Sequence, residues 1–145
     1  MTEGPPPPLP ESVPVSAEQF ACRVARLMSD NRCEDVALLD LRGRSQVTDF
    51  TVIGTGTSDR QMRSVADDMK ILARADGHSV YRSHGAGNDQ WVVVDFVDVV
   101  SHLFERTQRL YYDIESLWGD APRIDWEAET QPGQFADVQN LITND

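Results

Sequence analysis

Apolar residues recur along this chain with two different spacings. Phe20, Val24, Leu27 and Met28 fall three and four apart, which is one face of a helix. Ahead of them Ser16-Ala17-Glu18-Gln19 has the form of a capping box, and Asp30-Asn31 ends the pattern. A second helical stripe, Met62, Val65, Ala66, Met69, Leu72 and Ala73, follows Ser58-Asp59-Arg60-Gln61, again of capping-box form, and stops at Gly77. Between the two helices lie shorter β-branched runs. Val36-Ala37-Leu38-Leu39-Asp40-Leu41 lacks polar alternation, so it reads as a strand covered on both faces and placed centrally in its sheet. Phe50 to Gly54 is a second strand, and the short turn Arg42-Gly43-Arg44-Ser45-Gln46 makes the two an antiparallel pair.

Ser79 to Arg82 reads as a short edge strand, and Gly85-Ala86-Gly87-Asn88 as a flexible loop. Trp91-Val92-Val93-Val94 is a buried strand that ends at Asp95. Phe96-Val97-Asp98 turns, and Val99 to Phe104 runs back beside it. A polar step from Glu105 to Arg109 leads into an aromatic-rich helical segment ending at Trp118, with Gly119 as its stop. The alternation predicts one α/β domain, a mixed β-sheet flanked by helices, over residues 16–121. Residues 1–15 hold six prolines and no period, a disordered Pro-rich tail. Residues 122–145 are acidic and read as a flexible tail. Within them Phe135, Val138, Leu141 and Ile142 are spaced for a short amphipathic turn.

Charge narrows the choice of partner. The net charge is −11 over 145 residues. An acidic chain makes a poor direct ligand for nucleic acid, because backbone binding needs Lys and Arg to neutralise phosphates. A basic protein is the better fit, and DNA is not expected. Two cysteines, Cys22 and Cys33, make no disulfide framework, which points to a reducing, cytoplasmic setting. The Pro-rich start lacks the form of a signal peptide, and no apolar run is long enough to span a bilayer, so no membrane partner is expected.

Candidate chemistry centres on two stretches. Gly54-Thr55-Gly56-Thr57-Ser58 ends a strand and opens a helix, where free backbone N–H groups can hold a phosphate. Read that way, the chain would be a metal-dependent enzyme of the nucleotidyltransferase kind. Two metal ions need convergent acids, however, and Asp95 and Asp98 are spaced across a turn with strand register sending them to opposite faces. The only lysine, Lys70, sits deep in the second helix. His78, His84 and His102 have no ligand-like spacing with each other or with the cysteines, so neither a metal nor a cofactor is expected. His102 reads as a half-buried, satisfied histidine. Asp95 and Asp98 can be plain turn formers, yet Trp91, Tyr111, Tyr112 and Trp118 crowd the same segment. Acid beside aromatic surface suits a grip on a basic partner. Tyr111 and Tyr112 are adjacent and cannot face the same way, so at least one shows its hydroxyl to solvent or a partner.

The same segment resembles the bacterial ribosomal silencing factors, or Iojap-like proteins. The resemblance is carried by Trp91, Val92, Asp95, Asp98, Val99, Val100, His102 and Phe104, then Arg109, Tyr112, Asp113, Glu115, Leu117 and Trp118. Asp40-Leu41-Arg42-Gly43, Thr48-Asp49-Phe50 and the glycine-rich turn extend it to about residues 18–121. Val97 stands where that family usually has glycine, Arg106 where proline is common, and Ser101 where a branched apolar residue is usual. If the turn needs a positive φ, the valine costs about 1 kcal/mol. The resemblance implies an α/β domain similar to the nucleotidyltransferase fold but without its catalysis. It also implies binding to the large ribosomal subunit through large-subunit ribosomal protein fourteen, a steric block to subunit joining, and a monomer or homodimer. The expected interface is the sheet edge and adjoining helix, with Trp91, Asp95, Asp98, His102, Arg109, Tyr111 and Tyr112 as contact residues. Arg109 would meet a carboxylate or nearby ribosomal RNA.

Overall fold

The structure, a computed structural model, describes residues 15–85 and 90–141. In chain order its elements are α1 (Ala17–Asp30), β1 (Glu34–Asp40), β2 (Phe50–Gly56), α2 (Asp59–Asp76), β3 (Arg82–His84), β4 (Trp91–Asp95), β5 (Val99–Glu105), α3 (Arg106–Tyr112) and α4 (Ile114–Leu117). The five strands form one mixed sheet in the order β1-β2-β5-β4-β3. The central pair, β2 and β5, is parallel, and every other pairing is antiparallel.

Local signals set both long helices as expected. The Ser16 box closes in both directions, with Ser16 Oγ accepting from Gln19 N and Gln19 Oε1 accepting from Ser16 N. Helix α2 ends on Gly77 at φ 82, the left-handed cap that glycine adopts without strain. At its start the expected box is only half formed. Ser58 Oγ accepts from Gln61 N, but Gln61 Oε1 takes the Thr57 N–H instead of that of Ser58. The apolar stripes of both helices pack on one sheet face, where Phe20, Leu27, Met62, Met69 and Leu72 bury against Val52, Val94 and Leu103. On the opposite face a smaller cluster of Leu39, Leu41, Ile53, Phe104 and Ala121 gathers Trp91, Ile114 and Trp118 around it. Among the described residues, no long helix covers that second face.

Three expectations need correction. First, β1 is an edge strand, not a central one. Its apolar run has another cause: both faces are packed, and its outer edge is closed by the chain after α4. There Asp40 N donates to the Pro122 carbonyl and Ile124 N to that of Leu38, each at 2.9 Å. Second, the edge strand placed at Ser79–Arg82 lies at Arg82–His84, because the pairing with Asp95, Val94 and Val93 sets its register.

Third, the acidic stretch after 121 is packed, not loose, as far as Leu141. Trp126, Phe135 and Val138 are 7, 3 and 2 % exposed and join the core beneath α1 and α2. The Asp30 carboxylate accepts the backbone N–H groups of Gly133 and Phe135 at 2.8 Å each, and Arg26 lays its guanidinium over the Trp126 ring. Three widely spaced apolar side chains suffice because α1 supplies the polar anchors between them. The Pro-rich segment through residue 14, most of the Gly85–Asn88 loop, and Ile142 lie outside the described residues.

Candidate protein-binding face

Strand register gathers the sequence-predicted residues on the thinly covered side of the sheet. In the β4–β5 pair Trp91 sits opposite Phe104, Val93 opposite His102 and Asp95 opposite Val100. With side chains alternating along each strand, these six share one face. The Trp91 ring lies 4.9 Å from that of Phe104 and 4.6 Å from that of Tyr112, which α3 brings over the sheet. The indole Nε1–H donates to His102 Nδ1 at 3.1 Å. That contact leaves the imidazole proton on Nε2. Burial pushes the His102 pKa down to about 4, and the charge of Asp95 only partly opposes it. His102 is therefore neutral near pH 7 and fixes the plane of Trp91. Beside the stack a groove of about 550 Å³ opens between Gln90, Trp91, Val93, Gln108 and Tyr112.

The two aspartates do not work as a pair. Asp95 turns back on its own chain, accepting Val97 N at 2.7 Å and meeting Arg82 at 3.5 Å, with its side chain 18 % exposed. Asp98 is exposed, and its carbonyl accepts from Asp49 N and Phe50 N, tying the turn to β2. Between them Val97 has φ 75, and Asp98 N donates to the Phe96 carbonyl. This is the strained γ-turn with positive φ at its centre, so the turn does require the conformation that glycine would supply.

Arg109 is committed within the fold. Its Nε and Nη2 grip both oxygens of Glu115 at 3.0 and 3.1 Å, and its Nη1 donates to the Asp35 carbonyl and to Thr55 Oγ1. Within the fold the Arg109 guanidinium already holds a carboxylate of its own chain. The guanidinium, helped by Arg123, holds the Glu115 carboxyl below the usual glutamate range. This clamp pins α3 and α4 to β1 and β2 across a break at Asp113, whose φ is 47. Tyr111 is well exposed and Tyr112 half exposed, their rings edge-to-face at 5.1 Å. Leu110 and Leu117, exposed on the same two helices, were not legible as surface residues. Nothing in the sequence separates them from core leucines, because the kink at Asp113 breaks the helical period.

The glycine-rich turn offers a phosphate little. Gln61 and Ser58 already engage the Thr57 and Gln61 N–H groups, and Gln61 Nε2 donates to the Asn31 carbonyl. Gly56 is needed for packing, since a Cβ there would come within 2.1 Å of the Met62 side chain. Among the described residues no group of three or more His, Cys, Asp or Glu side chains is poised around a metal ion. Both cysteines are buried free thiols, with pKa values that burial raises to about 11. Among the described residues, no helix is long and apolar enough to cross a membrane.

Interlocked rings on an open sheet face, rigidly backed and flanked by charge, mark out the candidate face of this α/β domain. The chain belongs to the family described as "Ribosomal silencing factor during starvation", whose family model matches residues 14–143. That span runs past the expected boundary at 121 and agrees with the packed C-terminal stretch. The ribosomal silencing factor of Bacillus subtilis is 42 % identical over 101 residues, 70 % of this chain and 86 % of that protein. That of Halalkalibacterium halodurans is 37 % identical over 113 residues, covering 78 % of this chain and 97 % of the relative. A crystal structure of a Chromobacterium violaceum protein has the same fold, with a TM-score of 0.69 at 24 % identity over 85 % of this chain and all of that one. The two named relatives are ribosomal silencing factors, the family that the segment around Trp91 resembles.

Proposed function

We propose that this protein binds the large ribosomal subunit in the cytoplasm through large-subunit ribosomal protein fourteen, and that it represses translation by occupying space the small subunit needs. Family membership supports the ribosomal target, and the resemblance around Trp91 supports the particular ribosomal protein. The observation that carries the reading is the ring-lined sheet face left open on one side of an acidic domain. Trp91 and Tyr112 supply contact area, His102 holds Trp91 in place, and Tyr111 and Asp98 stand free to meet the partner. An exposed acid facing Lys or Arg adds on-rate and register more than affinity. Asp95 and Arg109 act from within, by shaping the turn and pinning α3 and α4. No catalytic step is needed, because a rigid body at the joining surface blocks by volume, whether it arrives as a monomer or as a homodimer.

The test is co-sedimentation with separated ribosomal subunits, followed by a light-scattering assay of subunit joining. The protein should pellet with large subunits and not with small ones, and joining should fall as occupancy rises. Asp98→Arg should weaken binding several-fold while leaving the fold intact. Normal joining at saturating protein would overturn the proposal.

A further inference from the structure

With 24 acids against 13 Lys and Arg, a cation on this chain has carboxylates to spare. Nine of the thirteen lie within 4.0 Å of one. The four that meet none among the described residues are Arg32, Arg60, Arg63 and Arg74, all exposed. Three of these are on α2, and the fourth follows Asn31, whose carbonyl accepts from Gln61 Nε2 in the first turn of that helix at 2.9 Å. At about 100° per residue, Arg60, Arg63, Lys70 and Arg74 fall within an arc of about 80°, on the side opposite the buried Met62, Val65, Met69 and Leu72. The acids of α2 leave this row positive. Asp76 is bound by Arg23, and Asp67 shares the row with Lys70 at 4.0 Å. Asp68 lies about a third of a turn away, where burial and the charges of Asp67 and Asp137 raise its pKa. Asp59 and Asp35 are the unpaired acids nearest in sequence, against four free guanidiniums. The ring-lined side is the reverse: Arg82, Arg106, Arg109 and Arg123 are all paired there.

We infer that the outer face of α2 lies along the phosphate backbone of large-subunit RNA, a second contact on the far side of the sheet from the rings. This deepens the proposed function and rests on it. The chemistry of the row chooses the occupant. Planar guanidiniums take the oxygens of a phosphate in pairs. From Arg60 to Arg74 the row runs about 21 Å at the helical rise, which suits a chain of phosphates better than a single one. Helix α2, described throughout, exposes no large apolar side chain, as a helix lying in a membrane surface would. The net charge of the chain does not forbid the contact, because acids more than roughly 8 Å away are largely screened at physiological salt. The topology makes the two contacts compatible. Gly56, just before α2, is in register with Glu105, just before α3. The two helices therefore leave the same end of the sheet on opposite faces, and a surface that wraps this end meets both.

The test uses the full chain as wild type and as two triple variants, Arg60→Gln/Arg63→Gln/Arg74→Gln and Arg60→Lys/Arg63→Lys/Arg74→Lys. Co-sedimentation with isolated large subunits is measured between about 50 and 200 mM monovalent salt at fixed magnesium. Each phosphate contact on a single strand adds about 0.7 to the slope of log affinity against log salt. Three contacts therefore make the deficit of the glutamine variant on the order of tenfold larger at the low salt than at the high. The lysine variant, its charge kept, should retain most of the wild-type slope. All three proteins should bind isolated ribosomal protein fourteen equally and melt within about 2 °C of one another. A glutamine variant with the wild-type salt slope overturns the RNA contact while leaving the proposed function standing. Failure of the wild type itself to pellet with large subunits removes both. A deficit that persists on the isolated ribosomal protein puts the anion on protein, and overturns the inference. So does a lysine variant that loses the slope, or a midpoint lowered beyond that margin, which would mean that the guanidiniums serve the fold.

Discussion

Val97 offers a sharp test of the turn that separates the two aspartates. A β-branched residue at φ 75 holds its Cβ against the neighbouring carbonyl, a strain of about 1–2 kcal/mol. Replacing it by alanine removes about half the burial value of a valine, since Val97 is 49 % exposed, and keeps most of the strain. Replacing it by glycine loses the same burial and removes the strain, but glycine gives the unfolded chain about 0.5–1 kcal/mol more conformational entropy to lose. The difference leaves Val97→Gly more stable than Val97→Ala by about 0.5–1 kcal/mol, the reverse of the order at ordinary strand or helix positions. For a domain of this size that is roughly 2–4 °C in midpoint, readable by calorimetry or circular dichroism. The Asp95 Oδ1 bond to the N–H of residue 97 survives in both variants, so it cancels from the comparison. An alanine variant that melts at or above the glycine variant would refute the strain argument.

Two further outcomes follow from buried groups. His102 has a folded pKa pushed down to about 4 from the ordinary histidine value of 6.5, so the unfolded chain binds more protons between those values. Stability is therefore full above about pH 6.5 and declines by up to roughly 3 kcal/mol as pH falls to 4. His102→Phe should flatten that part of a midpoint-versus-pH curve, and an unchanged slope would show that the imidazole is not neutral in the fold. Trp126→Ala should destabilise by about 3–5 kcal/mol and make the segment from 122 sensitive to protease. A small loss with no new cleavage would mean that this segment does not complete the core.

Periodicity made the helices and most strands legible, because their burial is one-sided or complete and leaves a regular trace. It could not place β1, since a strand with packed faces and a covered edge has the same apolar run as a central one. The packing of residues 122–141 was hidden for a related reason. Trp126, Phe135 and Val138 are too far apart to set a period, and their anchors, Arg26 and Asp30, are on a helix a hundred residues earlier. At the candidate site the register of β4 and β5 brings Trp91 and His102 together as a sequence reader would hope. The inward commitment of Arg109 was invisible, because its partners Asp35, Thr55 and Glu115 meet only after the sheet has formed. The positive φ at Val97 was open to sequence reasoning through comparison with the glycine of similar chains.

The parallel seam between β2 and β5 sets an order of assembly. The β1–β2 hairpin can zip locally, and so can the β3–β4–β5 meander, but neither buries the large apolar cluster alone. Joining them means closing a connection of roughly forty residues that includes α2, so the long-range entropic cost falls in one late step. Until that closure Val52 and Leu103, at the heart of the finished sheet, stay on half-sheets with bare edges, and the nascent chain is at its stickiest.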